Sequence, residues 1–551
     1  MTLSQMRRDA RHDWWRGATI YQIYPRSFMD ANGDGIGDLP GITARLDHVA
    51  SLGVDAIWVS PFFTSPMDDF GYDVSDYRGV DPMFGTLEDF RALVARAHEL
   101  GLRVIIDQVL SHTSDRHAWF QESRRDRTNP KADWYVWADP RPDGTPPNNW
   151  MASFGGRAWT FDARRRQYYL HNFLSSQPDL NFHHPEVQQA QLDNLRFWLD
   201  LGVDGFRLDV VNFYFHDAAL TDNPPTPPAQ VRPGHPQSYQ RQLYNISQPE
   251  NLAFLERIRA LLDEYPGATS VGEIAGPDQL PTMVAYTEGE SRLHMAYTFD
   301  LLETGGDARQ LRTILERFAE LDQDAWPCWA LSNHDVMRSA TRWGEERALL
   351  ALSLLCSLRG SLCLYQGEEL GLPEAELAFE DLQDPFGINL WPDVKGRDGC
   401  RTPMPWRAGA SHAGFSTATP WLPVPPAHLG LTVEEQEGDP GSALHAVRRL
   451  LAFRRRHAVL RDGHLALMEL GEGLLGFVRE NASERLLCVF NPTDETRSVT
   501  PPGPGTLLGG YGSTASMQED RLVLPPCQAA YLRLATAPGS AGHHPRNGGP
   551  A

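Results

Sequence analysis

The sequence has few basic residues, and lysine is almost absent. Only Lys131 and Lys395 occur among 551 residues, and 50 Lys and Arg residues face 71 Asp and Glu residues, for a formal net charge of −21 at pH 7. An acidic excess of this size repels phosphate groups, which disfavours nucleic acids and anionic membrane surfaces as partners. We therefore expect neither a nucleic-acid partner nor a membrane partner.

Paired cysteines and long apolar runs are also missing. The six cysteines are scattered, without a CxxC pair or the spacing of a disulfide framework, which is typical of reduced thiols in a cytoplasmic protein. Residues 1–15 contain no apolar stretch of the signal-peptide kind. The longest apolar run, 348–358, is about half of the ~20 residues that a membrane-spanning helix needs. We expect a soluble, cytoplasmic protein.

Short β-rich runs alternate with amphipathic segments of helical length along most of the chain. Eight strands that alternate with helices predict a parallel sheet, and eight is the number that closes a (β/α)8 TIM barrel. A hydrophobic content of 41% supplies the core that such a barrel needs. The predicted strands are 18–25, 56–61, 103–109, 205–211, 269–274, 295–300, 329–335 and 361–369.

Departures from this alternation divide the chain. A long stretch rich in aromatic residues follows the third strand, a proline-rich loop at 218–245 follows the fourth, and short β-rich runs fill the C-terminal part. We expect a barrel at 1–111 and 181–459 with an irregular subdomain at about 373–442, an inserted subdomain at 112–180, a C-terminal antiparallel β-sandwich at 460–536, and a disordered tail at 537–551.

Polar side chains follow the predicted strands at their carboxyl ends, the face where barrels of this kind carry function. A single carboxylate there is more often a helix cap or a surface charge, but several at one face, with an arginine and two histidines, indicate a pocket. Two carboxylates across a pocket suit glycosidic-bond cleavage, where one protonates the leaving oxygen and the other attacks or stabilises the anomeric carbon. These residues are Asp107, His112, Arg207, Asp209, Glu273, His334 and Asp335.

Several motifs in chain order resemble one enzyme family. DQVLSH (107–112), GFRLDVVN (205–212), VGEI (271–274) and LSNHD (331–335) resemble the four signature regions of the α-amylase superfamily, glycoside hydrolase family 13. QPDLN (177–181), the segment 14–42 and GCRTPMPW (399–406) resemble its α-glucosidase and oligo-1,6-glucosidase branch. The resemblance covers nearly the whole chain and implies the same barrel fold.

The resemblance also implies roles for the strand-end carboxylates. Asp209 would be the nucleophile that forms a glucosyl–enzyme ester, and Glu273 the general acid and then the general base. Asp335 would bind sugar hydroxyls and support the transition state. From the residues themselves, Arg207 is expected to lower the pKa of Asp209, because it lies two positions away on the same face of the strand.

Further residues are expected to bind the sugar. In the exo-acting members an Asp and an Arg close the far end of the pocket, and the matching positions here are Asp73 and Arg401. A pocket closed in this way holds a single terminal glucose. The other substrate-binding residues that the resemblance implies are Tyr72, His112, Arg207, His334, Phe173 and Gln177.

The segment DANGDGIGD (30–38) has the composition of a calcium loop. Side-chain oxygens alternate along it with glycines, as a hard cation requires, but the twelfth position of an EF-hand would be Gly41, so an EF-hand is excluded. In the resembling family such a loop binds structural Ca²⁺, sometimes Mg²⁺; the alternative is an Asp- and Gly-rich turn without metal. The expected ligands are Asp30, Asn32, Asp34, Asp38 and the Ile36 carbonyl.

These features together predict a retaining, exo-acting α-glucosidase that acts on short oligosaccharides, with transglucosylation capability and no organic cofactor. The alternatives are an oligo-1,6-glucosidase, a sucrose isomerase or glucosyltransferase of the same fold, and, least favoured, a non-catalytic accessory protein. Two features disagree about linkage. In the resembling branch, Val after the nucleophile, here Val210, goes with α-1,6 bonds, whereas the 218–245 loop resembles that of α-glucosidases selective for small α-1,4 substrates, which we favour. The oligomeric state stays open.

Overall fold

A barrel of eight parallel strands forms the centre of the protein. The structure, a computed structural model, describes residues 13–232, 235–321 and 324–535. In chain order the barrel strands are β1 (Thr19–Ile23), β2 (Ala56–Val59), β3 (Arg103–Gln108), β4 (Gly205–Leu208), β5 (Thr269–Ile274), β6 (Met295–Thr298), β7 (Cys328–Ala330) and β8 (Ser361–Tyr365).

The strands follow one another around the barrel in sequence order. Ladders pair β6 with β5 and continue in order to β1, which pairs with β8, and β8 pairs with β7. The last joint, between β6 and β7, rests on one isolated parallel bridge between Ala296 and Pro327 in the described part of the chain. The predicted TIM barrel is confirmed.

Side chains from both faces of the strands are buried, which explains why the strands are continuous apolar runs. One cluster fills the barrel interior and includes Ile20, Trp58, Ile105, Val271 and Met295. A larger cluster packs the outer faces against the helices. Each fully buried side chain of this size stabilises the fold by about 1.5 to 3 kcal/mol, so the strand positions are strongly determined.

A helix follows each strand, directly or after a loop, and covers the barrel. Local signals set helix starts: the hydroxyl of Thr86 and the carboxylate of Asp89 form a reciprocal capping box at α2. The main helices are α1 (Leu39–Ser51), α2 (Leu87–Glu99), α3 (Pro185–Asp200), α4 (Asn251–Leu262), α5 (Gln279–Thr287), α6 (Ala308–Leu321), α7 (Ala348–Leu355) and α8 (Ala443–Arg456). Shorter helices are Pro25–Phe28, Ala118–Ser123, Asp300–Glu303, Ser339–Trp343, Pro385–Leu390, Val433–Gly438 and Val459–Asp462.

The long connection after β3, for which the composition predicted an inserted subdomain, carries a small sheet. Its antiparallel strands are Trp137–Ala138, Trp159–Asp162 and Gln167–Leu170, and Phe63–Thr64 pairs with Asp76–Val80 in a separate hairpin. The proline-rich loop after β4 contains two single-turn 3-10 helices, Pro228–Gln230 and Pro236–Tyr239. The domain limits given above remain predictions.

A separate antiparallel unit follows α8, which confirms the predicted C-terminal β domain. One sheet contains His464–Leu467, Leu475–Glu480, Arg485–Asn491, Gln528–Leu534 and Gly505–Leu507, and a second contains Arg497–Val499, Arg521–Leu524 and Ser516–Gln518. The predicted tail at 537–551 lies outside the described residues. Among the helices that the structure describes, none combines the length and the apolar composition needed to cross a bilayer.

Candidate active site

Arg207 joins three carboxylates at the carboxyl ends of β3, β4 and β5. The strand register places Asp107 beside Arg207, because β3 and β4 pair at these residues. Arg207 Nη1 donates to Asp107 Oδ1 at 2.8 Å and to Asp209 Oδ1 at 2.6 Å, and Nη2 lies 2.6 Å from Glu273 Oε2. The guanidinium is fully buried. One cation therefore serves three anionic groups.

Burial sets the proton affinity of this cluster. It raises the pKa of Asp107 to about 6, against the opposing charge of Arg207. It also raises the pKa of Asp209 well above its ordinary range, with Glu273 and Asp107 adding to the effect. Arg207 lowers the pKa of Asp209, as expected, but desolvation outweighs this contribution and the net shift is upward. The carboxylates of Asp107 and Asp209 are therefore electrostatically coupled to each other around one shared cation.

Glu273 faces Asp209 across a short gap. The backbone N–H of Val210 donates to Glu273 Oε2 at 3.0 Å, and the Tyr297 hydroxyl donates to Oε1 at 2.9 Å. Val210 has a left-handed backbone (φ 34°, ψ 54°), which is unusual for a β-branched residue and is stored strain of a functional site. This conformation lets the amide after Asp209 contact the second carboxylate.

Asp335 follows β7 and has a different electrostatic environment. Its Oδ1 accepts from Arg397 Nη1 at 3.1 Å and from Arg401 Nη2 at 3.0 Å. Burial alone would raise its pKa, but His334 and the two arginines outweigh burial and lower the pKa of Asp335. This carboxylate stays ionised, and it is 22% exposed towards the cavity.

The Asp–Arg ion pair that lines the pocket is formed by Asp69 and Arg397, not by Asp73 and Arg401. Arg397 Nη2 lies 2.8 Å from Asp69 Oδ1, and both residues line the cavity together with Asp335. Arg401 lies behind Asp335 and donates through Nε to the carbonyl of His334 at 2.7 Å. The expected type of ion pair is present, formed by residues four positions earlier in each motif.

Asp73 shapes the turn that presents Asp69. Its carboxylate accepts from the Ser65 hydroxyl at 2.9 Å and from the backbone amides of Asp68 and Asp69 at 2.9 and 3.1 Å. Burial raises the pKa of Asp73 to about 7. All of these partners are local, so Asp73 has no free oxygen directed at a ligand and acts on the pocket through the backbone.

Tyr72 separates His334 from the cavity. The two rings stack at 5.2 Å with 11° between their planes, and the Tyr72 hydroxyl contacts His334 Nε2 and donates to Asp107 Oδ2 at 3.0 Å. His334 Nδ1 accepts from Gln22 Nε2 at 2.8 Å, and burial lowers the pKa of this histidine well below its ordinary value. The structure therefore places His334 behind the wall and Tyr72 on it.

His112 and Phe173 line the cavity, and Gln177 lies behind them. Burial lowers the pKa of His112 to about 4, so this ring is neutral, and Nε2–H donates to the Tyr72 carbonyl at 3.0 Å. Gln177 is fully buried and donates to Asp69 Oδ2 at 3.0 Å, so it holds Asp69 instead of lining the cavity. Phe173 does line the cavity.

Charged and aromatic side chains together line the pocket. The cavity measures about 210 Å³, below the ~300 to 1,000 Å³ of sites for drug-sized ligands. Such a volume suits one end of a small polar molecule better than an extended chain. The aromatic residues that line it are Tyr72, Phe154, Phe173, Phe213, Phe299 and Phe386.

Comparison with known proteins identifies this arrangement. Residues 22–463 match the family model described as "Alpha amylase, catalytic domain". The chain belongs to the α-amylase family. It is 55% identical over 538 residues to the "Probable alpha-glucosidase" of Rhizobium meliloti (strain 1021), covering 95% of this chain and 97% of that protein. It is 38% identical over 547 residues to the oligo-1,6-glucosidase of Heyndrickxia coagulans, covering 92% and 97%.

A solved structure agrees with these relatives. The crystal structure of the alpha-glucosyl transfer enzyme XgtA superposes with a TM-score of 0.92 at 57% identity, covering 94% of this chain and 99% of the other. The predicted membership of the α-glucosidase and oligo-1,6-glucosidase branch of the α-amylase family is confirmed, and the protein is a glycoside hydrolase.

The loop at 30–38, where this family is expected to bind Ca²⁺, has oxygen donors of the right type, but in the described structure its three carboxylates do not all come within 4.8 Å of one another. Asp30 accepts from the amides of Gly33 and Gly35 at 2.6 and 2.8 Å, and Asp38 caps α1 through Gly41 N at 2.6 Å. Within the described residues, no ion pair with a basic side chain neutralises the loop's three carboxylates, which favours a hard divalent cation. Ca²⁺ at Asp30, Asn32, Asp34, Asp38 and the Ile36 carbonyl remains a prediction.

The sequence patterns did not predict three residues of the site. Asp69 is one of several acidic residues in MDDFGYD, and Arg397 is one of two arginines in GRDGCR, so the motif alone selects no member of either set. Tyr297, in MAYTFD, has the pattern of an ordinary core residue in a buried strand. No signal in a single sequence marks it, because its importance depends on which atoms of β4 and β5 lie beside it.

Proposed function

We propose that the protein is a retaining, exo-acting α-glucosidase that releases terminal glucose from short α-glucosides and transfers glucose to hydroxyl acceptors. The observation that supports this proposal most strongly is a small cavity closed at one end by Asp69 and Arg397, with Asp209 and Glu273 beside each other on its wall. A closed end admits one terminal sugar, and the adjacent carboxylates can act on the bond that follows it.

The carboxylate arrangement favours retention of the anomeric configuration. Retaining enzymes separate the two carboxyl groups by about 5 to 5.5 Å and inverting enzymes by about 6.5 to 9.5 Å, which leaves room for a water molecule. Asp209 and Glu273 contact neighbouring nitrogens of one guanidinium, and the amide after Asp209 contacts Glu273. These contacts support the closer spacing.

The reaction takes two displacements. Asp209 attacks the anomeric carbon while the proton of Glu273 passes to the glycosidic oxygen, so the C–O bond breaks and the leaving group departs as an alcohol. Glu273 then removes a proton from water or an acceptor hydroxyl, whose oxygen displaces the Asp209 carboxylate. Asp335, ionised beside Arg397 and Arg401, accepts hydrogen bonds from the hydroxyls of the bound glucose.

The proline-rich loop forms the wall on the leaving-group side. Gln237 and Gln242 from this loop line the cavity, and Gln237 Nε2 donates to the hydroxyl of Ser153 in the inserted region at 2.9 Å. Arg232 of the same loop also forms an ion pair with Glu303 at 2.7 Å. A wall fixed at these two points excludes a long aglycone, which supports maltose-like α-1,4 substrates.

Two features support transfer as well as hydrolysis. Phenylalanine side chains at the cavity mouth disfavour bulk water and provide apolar surface for an organic acceptor. Gln242 Nε2 is buried without a hydrogen-bond partner among the described residues, and a hydroxyl of the leaving group or the acceptor would satisfy it. The name of the similar alpha-glucosyl transfer enzyme agrees with this part of the proposal.

A substrate panel tests the proposal against its alternatives. Glucose release is measured from maltose, isomaltose, sucrose, trehalose and starch, and the anomer formed first from maltose is read by NMR. We expect α-glucose first, maltose before isomaltose, and no release from starch. Preferred cleavage of isomaltose would make the protein an oligo-1,6-glucosidase, conversion of sucrose into an isomer would make it an isomerase, and β-glucose as the first product would exclude retention.

A further inference from the structure

Tyr297 lies at the centre of the acidic cluster, although no motif points to it. Strand β6 pairs with β5 so that Tyr297 lies directly beside Glu273. The side chain is 3% exposed, with its ring 6.1 Å from the ring of Trp58. Its hydroxyl is therefore fixed inside the cluster and cannot exchange its partners for water.

The hydrogen bonds of this hydroxyl allow one assignment of its proton. Arg207 donates to the Tyr297 oxygen through Nε at 3.2 Å and Nη2 at 2.8 Å. A guanidinium has only donors, so both lone-pair positions of the phenol are occupied. The phenolic proton then has one acceptor, Glu273 Oε1 at 2.9 Å. Arg207 thus orients the hydroxyl towards Glu273.

We infer that Tyr297 is a positioning residue that holds Glu273 and stabilises the carboxylate left on it when it protonates the leaving group. The inference rests on the proposed retaining reaction. In the described structure Glu273 accepts hydrogen bonds from the Tyr297 hydroxyl and the Val210 amide, and it forms an ion pair with Arg207 at 2.6 Å. Hydrogen bonds to an ionised carboxylate strengthen as its charge develops, so Tyr297 contributes most where the leaving group needs a proton.

This role predicts a dependence on the leaving group. A sugar alkoxide is a poor leaving group and needs the full proton from Glu273, whereas a 2,4-dinitrophenolate departs without one. The hydroxyl of Tyr297 should therefore matter for maltose and not for the activated aryl glucoside. A residue that only supports the shape of the pocket would affect both substrates equally.

Tyr297→Phe tests the inference. We expect kcat/KM for maltose to fall about tenfold or more, and that for 2,4-dinitrophenyl α-glucoside by less than about threefold. The basic limb of the pH profile for maltose should move about half a unit to one unit higher, since a donor to the ionised form is lost. Tyr286→Phe is the matched control: it removes another buried hydroxyl, bonded to Asn251 Nδ2 at 2.8 Å on α4, outside the site.

A second variant covers the case in which Tyr297→Phe fails to fold, because it leaves two guanidinium N–H groups without an acceptor. Replacing Tyr297 with 3,5-difluorotyrosine keeps the hydroxyl and makes it a stronger donor; burial raises the pKa of Tyr297 well above its ordinary value, which keeps the phenol neutral. We expect the basic limb to move lower, opposite to Tyr297→Phe. Equal losses on both substrates, or an unchanged pH profile in both variants, would overturn the inference. A wild-type enzyme that inverts, or cleaves neither substrate, would instead overturn the proposed function.

Discussion

The backbone N–H of Val210 donates to Glu273 Oε2 at 3.0 Å, so the residue that follows one proposed catalytic carboxylate directly contacts the other. Position 210 is the one that pointed to α-1,6 linkages in the sequence analysis. Its side chain lines the cavity, and its backbone amide binds the proposed acid. A change at position 210 can therefore alter both which substrate fits the cavity and where Glu273 is held.

Removing the nucleophile should abolish turnover and leave the fold intact. Asp209→Asn keeps the shape of the side chain but cannot form the glucosyl ester. We expect kcat below about a hundredth of the wild-type value on an aryl α-glucoside, with an unchanged circular dichroism spectrum. The control is Asp193→Asn on the exposed face of α3, which should retain full activity. A fast Asp209→Asn enzyme would assign the nucleophile to another residue.

Asp69 and Asp73 should give different phenotypes. Asp69→Asn weakens the pair with Arg397 that closes the pocket, and we expect kcat/KM for maltose to fall by about tenfold to a hundredfold. Asp73→Asn replaces an acceptor of two backbone amides with a group that donates, so it should mainly lower the Tm. Steady-state kinetics with thermal unfolding of both variants measures this difference. If Asp73→Asn instead lowered kcat/KM and Asp69→Asn mainly lowered the Tm, Asp73 would be the residue that closes the pocket.

The stability contributed by Asp73 should decline as the pH rises. Its folded pKa, about 7, is above its ordinary value of about 3.9, so the folded state binds the proton more tightly than the unfolded state. The contribution is complete below about pH 4 and is lost as pH rises towards 7. Tm measured between pH 4.5 and 7.5 should fall less steeply in Asp73→Asn than in the wild type. Parallel curves would mean that Asp73 does not titrate in this range.

Shortening the proline-rich loop should relax the selection against long substrates. Replacing residues 222–238 with a short Gly/Ser linker removes Gln237 and its contact with Ser153. We expect the ratio of kcat/KM values for maltotetraose and maltose to rise several-fold, because the wall excludes one substrate without binding the other. Activity on aryl α-glucosides serves as the control for folding. An unchanged ratio would assign chain-length selection to the 112–180 region.

Metal removal should lower stability without changing the reaction. If the 30–38 loop binds Ca²⁺, EDTA will lower the Tm of the wild type, and Asp30→Ala will lower the Tm and abolish the EDTA response. Asp126→Ala, in an exposed turn elsewhere, should leave the EDTA response intact. An Asp30→Ala protein with the same response as the wild type would show that the loop holds no metal.

The sequence predicted those parts of the site that lie at strand ends. Asp209 and Asp335 follow β4 and β7, and Glu273 is the second-last residue of β5. Parallel strands bring their carboxyl ends to one face, so the strand pattern and the motifs point to the same residues. Loop residues were harder to predict: Asp69 and Asp73 lie four positions apart in one turn, and only backbone geometry decides which of them faces the ligand.

Electrostatics also depended on the fold. The sequence pairs Arg207 with Asp209 two residues away, which predicts a lowered pKa for the aspartate. In the barrel Arg207 also contacts Asp107 and Glu273 from neighbouring strands, and burial removes water from all of them. Desolvation, with Glu273 and Asp107 adding to it, outweighs Arg207 and makes the net pKa shift of Asp209 upward. Spacing along the chain reveals neither the burial nor the two neighbouring carboxylates.

Backbone pairing between β6 and β7 differs from the pairing between the other neighbouring strands of the barrel. In the described part of the chain every other neighbouring pair of strands forms a hydrogen-bonded ladder, whereas β6 and β7 share one isolated bridge between Ala296 and Pro327. Proline has no backbone N–H, so Pro327 cannot donate a hydrogen bond there. Tyr297 follows Ala296 on β6, so this sparsely paired contact lies next to the residue that we infer to position Glu273. On heating, we therefore expect β6 and β7 to separate first, so that activity is lost at a temperature at which the far-UV circular dichroism spectrum is still largely unchanged.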